Sequence, residues 1–311
     1  MPGAPIRYIN ENPKGYRSPE DREMNYSPVI LPTLDGEYVH GWYMALSDPR
    51  EAKTLSTMKR DRRLVVFFHE NAGNLGLRLD YFQMLYHEMN CDVLAVAYRG
   101  YSASSGKPSE KGLKLDAAAV MEFTHKELIE HYMTRGGAFV LGRSLGGAVA
   151  TAAISSLSEA DANKFDGLIL ENTFTSIPDM VDSMFSVIGY LKGLVLTNYW
   201  STIDLVKDIK LPILYVTGSH DEIVPTEQTH RLYEASTSSR HTQIWVNPDG
   251  YHNDTWYVSK NQYMATLRSF MTKQHKEGIK VRDSKMSATK KSSGTESGQM
   301  DPNAHHDNHD L

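Results

Sequence analysis

A serine hydroxyl becomes a useful nucleophile at neutral pH only when a base takes its proton and an acid orients that base. The chain carries residues of these three types in a suggestive order. Val140-Leu-Gly-Arg-Ser-Leu-Gly-Gly-Ala-Val-Ala150 passes from an apolar strand into a small-residue helix with Ser144 at the turn, the layout of a nucleophile elbow. Gly142 and Gly146 flank the serine, where a side chain would collide with neighbouring backbone in so tight a turn. Chance supplies G-x-S-x-G in roughly one chain in ten of this length at ordinary glycine and serine usage. The context therefore has to carry the assignment.

That context lies downstream. Strand-like Ile213-Leu-Tyr-Val216 runs into Gly218-Ser-His-Asp-Glu222, which places Asp221 on a loop at the carboxyl end of a strand. Gln243-Ile-Trp-Val246 runs in the same way into Asn247-Pro-Asp-Gly-Tyr-His252. The expected triad is Ser144, Asp221 and His252, in the chain order that such folds use. Glu222 and Glu171 are the competing acids. His230 falls within a helical pattern, His241 precedes a strand and His275 ends a helix, so these are expected in structural or solvated roles. An oxyanion needs backbone donors, expected from the amides of Leu145 and of Asn71, the latter in Phe67-Phe-His-Glu-Asn-Ala-Gly-Asn74. With neutral His252 as base, activity should rise with pH as its imidazole deprotonates.

The elements that must position these loops alternate between strand and helix, the pattern of an α/β fold with a mostly parallel sheet. Residues 29–31 and 38–44, separated by Asp35-Gly36, read as an antiparallel entry hairpin. Strands follow at 64–68, 93–98, 138–141, 168–170, 213–216 and 243–246, their near-continuous apolar character implying burial on both faces. Helices are expected over about 76–89, 109–134, 145–158, 225–237 and 253–274. In the last, Tyr263, Leu267, Phe270 and Met271 form one apolar stripe. Residues 1–28 read as an N-terminal extension and 29–275 as one domain with a cap insert at about 174–200. Residues 276–311, poor in large apolar side chains, are expected to stay disordered.

Composition narrows the class. The 311 residues hold 38 acidic against 33 basic side chains, a net charge of -5, which leaves no basic face for a phosphate backbone and disfavours nucleic acid. Cys91 is the single cysteine, so no intramolecular disulfide can form, and its apolar strand suggests a buried structural thiol. No apolar run reaches the ~18 to 20 residues of a spanning helix, and the first residues hold none fit for a signal peptide. A cytoplasmic or peripherally membrane-associated location is expected, with peripheral membrane contact left open. No metal or organic cofactor is expected. The tail histidines His305, His306 and His309 are not expected to form a purposeful metal site.

These residues resemble the alpha/beta-hydrolase superfamily of serine hydrolases over about 29–274. More narrowly, HENAGN (69–74), YRGYSASSGKPSEKGLKLDA (98–117), GRSLGGAVA (142–150) and ENTFTSIPDM (171–180) resemble the group of alpha/beta-hydrolase domain-containing protein 13 and the bud-emergence (Bem) hydrolases. The resemblance implies an alpha/beta-hydrolase fold of about eight strands with helices on both faces and a short cap, and the same triad. Many superfamily members have His-Gly where this chain has His69-Glu70, but the narrower group resembles the chain there. Members of that group often begin with a membrane anchor, and no such run opens this chain.

The insert before Ile213 is where the superfamily places a cap over its site. Its apolar residues, Met184, Phe185 and Ile188 among them, are candidates to line an acyl pocket or simply to pack on the sheet. The expected reaction is hydrolysis of a carboxylic ester or acyl thioester, palmitoyl-protein included, on a small-molecule or lipidated-protein substrate. Action on short peptides, or a non-catalytic scaffold on the same fold, are the alternatives. Arg99 and Arg143 flank the site, to pair with Glu70 or another acid or to hold a substrate carboxylate or phosphate. Asp116 is expected to cap or pair locally.

Overall fold

The computed structural model describes residues 8–46, 62–133, 135–183 and 198–293. Eight strands make one sheet in the order β1-β2-β4-β3-β5-β6-β7-β8: β1 (Tyr26–Pro32), β2 (Tyr38–Met44), β3 (Arg63–Phe68), β4 (Cys91–Val96), β5 (Ala138–Arg143), β6 (Gly167–Glu171), β7 (Ile213–Gly218) and β8 (Thr242–Asn247). The first hairpin turns at Gly36, whose φ of +84° suits glycine. β2 pairs antiparallel with β1 and β4, and all later pairings are parallel. Every residue of β4, β5, β6 and β7 is buried, as two-sided cover requires.

The pleat sorts alternate residues into two cores. Leu64, Val66 and Phe68 point to one side, with Leu113, Ala117 and Val120 of α2 (Glu110–Phe123) and Ala148, Val149 and Ala152 of α3 (Leu145–Ser155). Val65 and Phe67 point to the other, with Leu79 and Phe82 of α1 (Leu79–Gln83) and the Tyr263, Leu267, Phe270, Met271 stripe of α5 (Lys260–Ser293). The fold is the mostly parallel alpha/beta-hydrolase sheet with helices on both faces. Between β7 and β8 lies α4 (Thr226–Ala235).

Several boundaries differ from the sequence expectation. The helix expected at 76–89 opens as a 3-10 turn, Leu75–Arg78, with Asn74 capping Gly76 N, and closes as a π turn over Met84–Glu88. The helix expected at 253–274 is split into Thr255–Val258 and α5. The expected disorder from residue 276 is corrected: α5 runs on to Ser293. Its extension is anchored on Asp166, 1% exposed, whose carboxylate accepts from His275 Nδ1 at 2.7 Å and Arg282 Nη1 at 2.8 Å. Gly278 lets the helix approach, because a Cβ there would overlap Asp166 Oδ1. Lys, Glu, Arg and Met in this stretch are good helix formers.

Cys91 is fully buried at the start of β4, and burial pushes its thiol up to about 12. Among the described residues no helix is long and apolar enough to cross a membrane. Met184, Phe185 and Ile188, the tail histidines and residues 294–311 lie outside the described residues.

Candidate active site

β5 ends and α3 begins at Ser144, which adopts φ 52° and ψ -121°. A non-glycine residue in that region costs roughly 1–3 kcal/mol and persists only where its surroundings hold it. Here Ser144 N donates to Glu171 O at 2.8 Å, and Ser144 O accepts from Gly147 N at 2.9 Å and Thr173 Oγ1 at 2.8 Å. The flanking glycines are required sterically: a Cβ on Gly142 would overlap Gly146 O, and one on Gly146 would overlap Phe68 O.

β7 and β8 deliver the two partners from adjacent loops. Asp221 is fixed by Ile223 N and Val224 N, which donate to Oδ1 at 2.9 and 2.7 Å. The ring of His252 faces it, with Nδ1 2.9 and 2.8 Å from the two carboxylate oxygens and Nε2 3.1 Å from Ser144 Oγ. A nitrogen facing an acceptor-only carboxylate carries the proton, so Nε2 is left free to accept from the serine hydroxyl. The structure thus brings Ser144, His252 and Asp221 into one hydrogen-bonded line.

The other residues weighed against them lie elsewhere. Glu222 accepts from the His252 amide at 3.1 Å and faces no imidazole nitrogen in the line. Glu171 accepts from Tyr263 OH at 2.6 Å and sits 3.3 Å from Arg143 Nε. His230 lies in α4, His241 precedes β8 and His275 holds Asp166. Arg99 pairs with Asp35 at 2.7 Å and with Asp116 at 2.9 Å, which accounts for both Arg99 and Asp116 structurally.

The loop after β3 is built to hold a shape. His69 is buried, accepts from Tyr98 N at Nε2 (3.1 Å) and meets Glu70 O at Nδ1 (2.6 Å), so the proton sits on Nδ1. Burial, aided by the nearby Arg78 charge, lowers the His69 imidazole to about 3 and keeps it neutral. The Glu70 carbonyl shares a peptide plane with the Asn71 amide, so fixing one fixes the direction of the other. Asn71 O and Oδ1 take the Tyr101 hydroxyl at 2.7 and 2.9 Å. Leu145 opens α3, where the first amide has no intrahelical acceptor and the Ser144 side chain does not cap it.

Beneath the line lies a buried ionic group. Arg78 Nε donates to Glu70 Oε2 at 3.0 Å, and Arg143 Nη1 stands 3.2 Å from Glu70 Oε1. Burial alone would raise the Glu70 carboxyl, but the Arg78 and Arg143 guanidiniums outweigh it and hold it at about 2. For Glu171 burial wins, raising its carboxyl despite the Arg143 charge. Sequence reasoning missed Asn172. An asparagine directly after a strand is the signal, since asparagine tolerates the left-handed region, where the structure places it at φ 47°.

The serine hydrolase (FSH1) family model matches residues 109–253, a stretch holding all three residues of the line. Protein bem46 of Schizosaccharomyces pombe is 35% identical over 254 residues, covering 80% of this chain and 79% of that protein. The alpha/beta hydrolase domain-containing protein WAV2 of Arabidopsis thaliana is 32% identical over 268 residues, covering 82% of each. Among solved structures, the Pyrococcus furiosus esterase Pf2001 superposes with a TM-score of 0.67 at 17% identity, over 88% of this chain and 98% of that one, a likeness of fold. With an elbow serine set in this sheet and relatives of that identity across four-fifths of its length, the chain belongs to the alpha/beta-hydrolase family of serine hydrolases that includes bem46.

Proposed function

We propose that the chain hydrolyses carboxylic esters or acyl thioesters through an acyl-enzyme on Ser144. The observation that carries this reading is the line from Ser144 Oγ through His252 to Asp221, with contacts of 3.1 and 2.8 Å. His252 Nε2 takes the hydroxyl proton as Oγ attacks the acyl carbonyl, and Asp221 stabilises the imidazolium that forms. The tetrahedral oxyanion is met by the amides of Leu145 and Asn71, and the positive end of the α3 dipole favours its charge. Collapse expels the alcohol or thiol with the proton returned by His252. Water activated by the same imidazole then releases the acid.

A fluorophosphonate probe tests this directly. Wild-type protein should take the label and Ser144→Ala should not, with both folded. Folded wild-type protein that resists the probe overturns the reading.

For the acyl group, a long chain such as palmitoyl on a protein thiol is the reading we favour. It is supported by the apolar side chains scattered from Met180 to Leu196 and interrupted by Asp182 and Lys192, Met184, Phe185 and Ile188 among them, at the position where a cap is expected. Turnover of thioesters from acetyl to palmitoyl should increase with chain length. Equal turnover across the series rejects the long-chain reading and leaves the ester chemistry standing.

A further inference from the structure

Arg143 touches three parts of the site without reaching a reacting atom. Its Nη1 lies 3.2 Å from Glu70 Oε1, its Nε 3.3 Å from Glu171 Oε1, and its Nη2 donates to the backbone carbonyl of His252 at 3.1 Å. Its side chain is 5% exposed and turned to these partners, with Nε and Glu171 Oε1 within ion-pair distance but not hydrogen-bonded, so it is not offered to a substrate anion. Each partner belongs to a different segment of the site. Glu70 lies on the oxyanion loop beside Asn71, Glu171 O receives the Ser144 amide at 2.8 Å, and His252 is the base. Arg78 closes the loop side. Besides Glu70 it donates to Asn74 O at 2.6 Å and to Ala72 O, and Gly73 with φ +74° leaves room for its guanidinium.

We propose that Glu70 and Arg143 are positioning residues, one ion pair that holds the oxyanion loop, the nucleophile elbow and the base loop in mutual register. The proposal rests on the triad reading above. Stability is a weak reason for such a pair, because desolvating two charges offsets most of their attraction and apolar replacements are often neutral or better. Alignment is a stronger one. Catalysis depends on donors, nucleophile and base being set before the reaction, and a displacement of about 1 Å can cost about a hundredfold in rate. The pair also has an electrostatic consequence. A carboxylate one residue from an oxyanion donor would repel the developing charge, and the two guanidiniums cancel it.

The test compares Arg143→Met, Arg143→Lys, Glu70→Gln and the double variant Glu70→Gln/Arg143→Met with wild type. The readouts are hydrolysis of p-nitrophenyl acetate, thermal melting and fluorophosphonate labelling. Arg143→Met should melt cooperatively, lose about 10- to 100-fold in kcat and keep KM within about twofold. Glu70→Gln retains the side-chain shape but not the charge and should lose about three- to tenfold in kcat, again with KM held. The double variant should be no slower than Arg143→Met, because both substitutions break one device. Arg143→Lys should recover part of the rate through its charge. A kcat within twofold of wild type in folded Arg143→Met, or losses that multiply in the double variant, overturns the proposal. Should Arg143→Met fail to fold, Glu70→Gln decides alone by the same twofold criterion. Wild-type protein that takes no label rejects the triad and the pair together, whereas labelled wild type with unaffected variants rejects the pair alone.

Discussion

The side-chain amide of Asn172 donates to the backbone carbonyl of His252 at 2.8 Å and ties the His252 loop to the end of β6. The same amide group donates to Thr255 Oγ1 at 3.0 Å, and its oxygen accepts from Gly218 N at 3.1 Å, at the entry to the Asp221 loop. One buried side chain thus spans both loops that face Ser144. Its left-handed backbone, φ 47°, aims it there.

Asn172→Gly keeps that backbone conformation and deletes the side chain, so it isolates the anchor. Orphaning the Gly218 amide should cost about 1–3 kcal/mol of stability, and a looser His252 should lower kcat about tenfold with KM little changed. Asn172→Ala adds roughly 1 kcal/mol of left-handed strain. Urea melts and steady-state kinetics on both variants check this. An unchanged kcat in Asn172→Gly removes Asn172 from the site.

Two glycines with different reasons for being glycine should respond differently to alanine. At Gly146 a Cβ would overlap the Phe68 carbonyl, which is backbone and cannot swing aside, so β3 and α3 must part. Gly146→Ala should lose at least about a hundredfold in Ser144 labelling, or fail to fold. At Gly36 a Cβ meets nothing within 4 Å, but φ is +84°. Gly36→Ala should cost about 1 kcal/mol from strain alone and label at the wild-type rate. Equal labelling of the two variants would contradict the steric account of the elbow.

All eight expected strands occur, within a few residues of their limits. β4 to β7 were legible because two-sided burial writes itself as unbroken apolar runs, whereas β8, expected to be buried on both faces, is only half-buried as the last strand of the sheet, and β1 alternates. Ser144, Asp221 and His252 were legible because each follows a strand, and strand ends fix where loop residues gather. What was not legible depends on single side chains crossing long sequence distances. Nothing in the pattern pairs Arg143 with the His252 carbonyl, or Asp166 with Arg282. The order of the C-terminal helix is hidden from the sequence for that reason. The helix is polar in composition, and its contacts, Asp166 foremost with Asn163 and Glu159, lie far upstream.

His69 gives a pH signature of stability. Its folded-state value, lowered to about 3 by burial and Arg78, lies below the unfolded 6.5, so between those limits the unfolded chain binds a proton that the folded one refuses. Stability should therefore fall as pH drops through 6.5, approaching about 1.4 kcal/mol per unit from this group. Glu70, about 2 when folded against 4.5 unfolded, adds loss in the same direction only below about 4.5. His40, His125 and His241 are also lowered by burial and act in parent and variant alike. Urea midpoints of wild type and His69→Gln between pH 6.5 and 5 should differ in slope by close to one proton. Parallel curves would mean that His69 is protonated in the folded state.

Asp166 precedes β6 at the end of the sheet opposite Ser144, and its carboxylate is the seat of the C-terminal helix. Asp166→Asn preserves the shape but sets an amide nitrogen against one of two donors, His275 Nδ1 or Arg282 Nη1. Removing one partner of a buried ionic contact costs about 3 kcal/mol. That should appear as a lower urea midpoint and as faster hydrogen exchange over 276–293, where the helix has lost its anchor. Gly278→Ala tests the same seat from the other side, since a methyl there would overlap Asp166 Oδ1. Ser144 labelling should persist in both variants under native conditions, because the strands between the two ends are buried on both faces and stay paired. Wild-type exchange over 276–293 in Asp166→Asn would show that the helix extension is held by something other than this carboxylate.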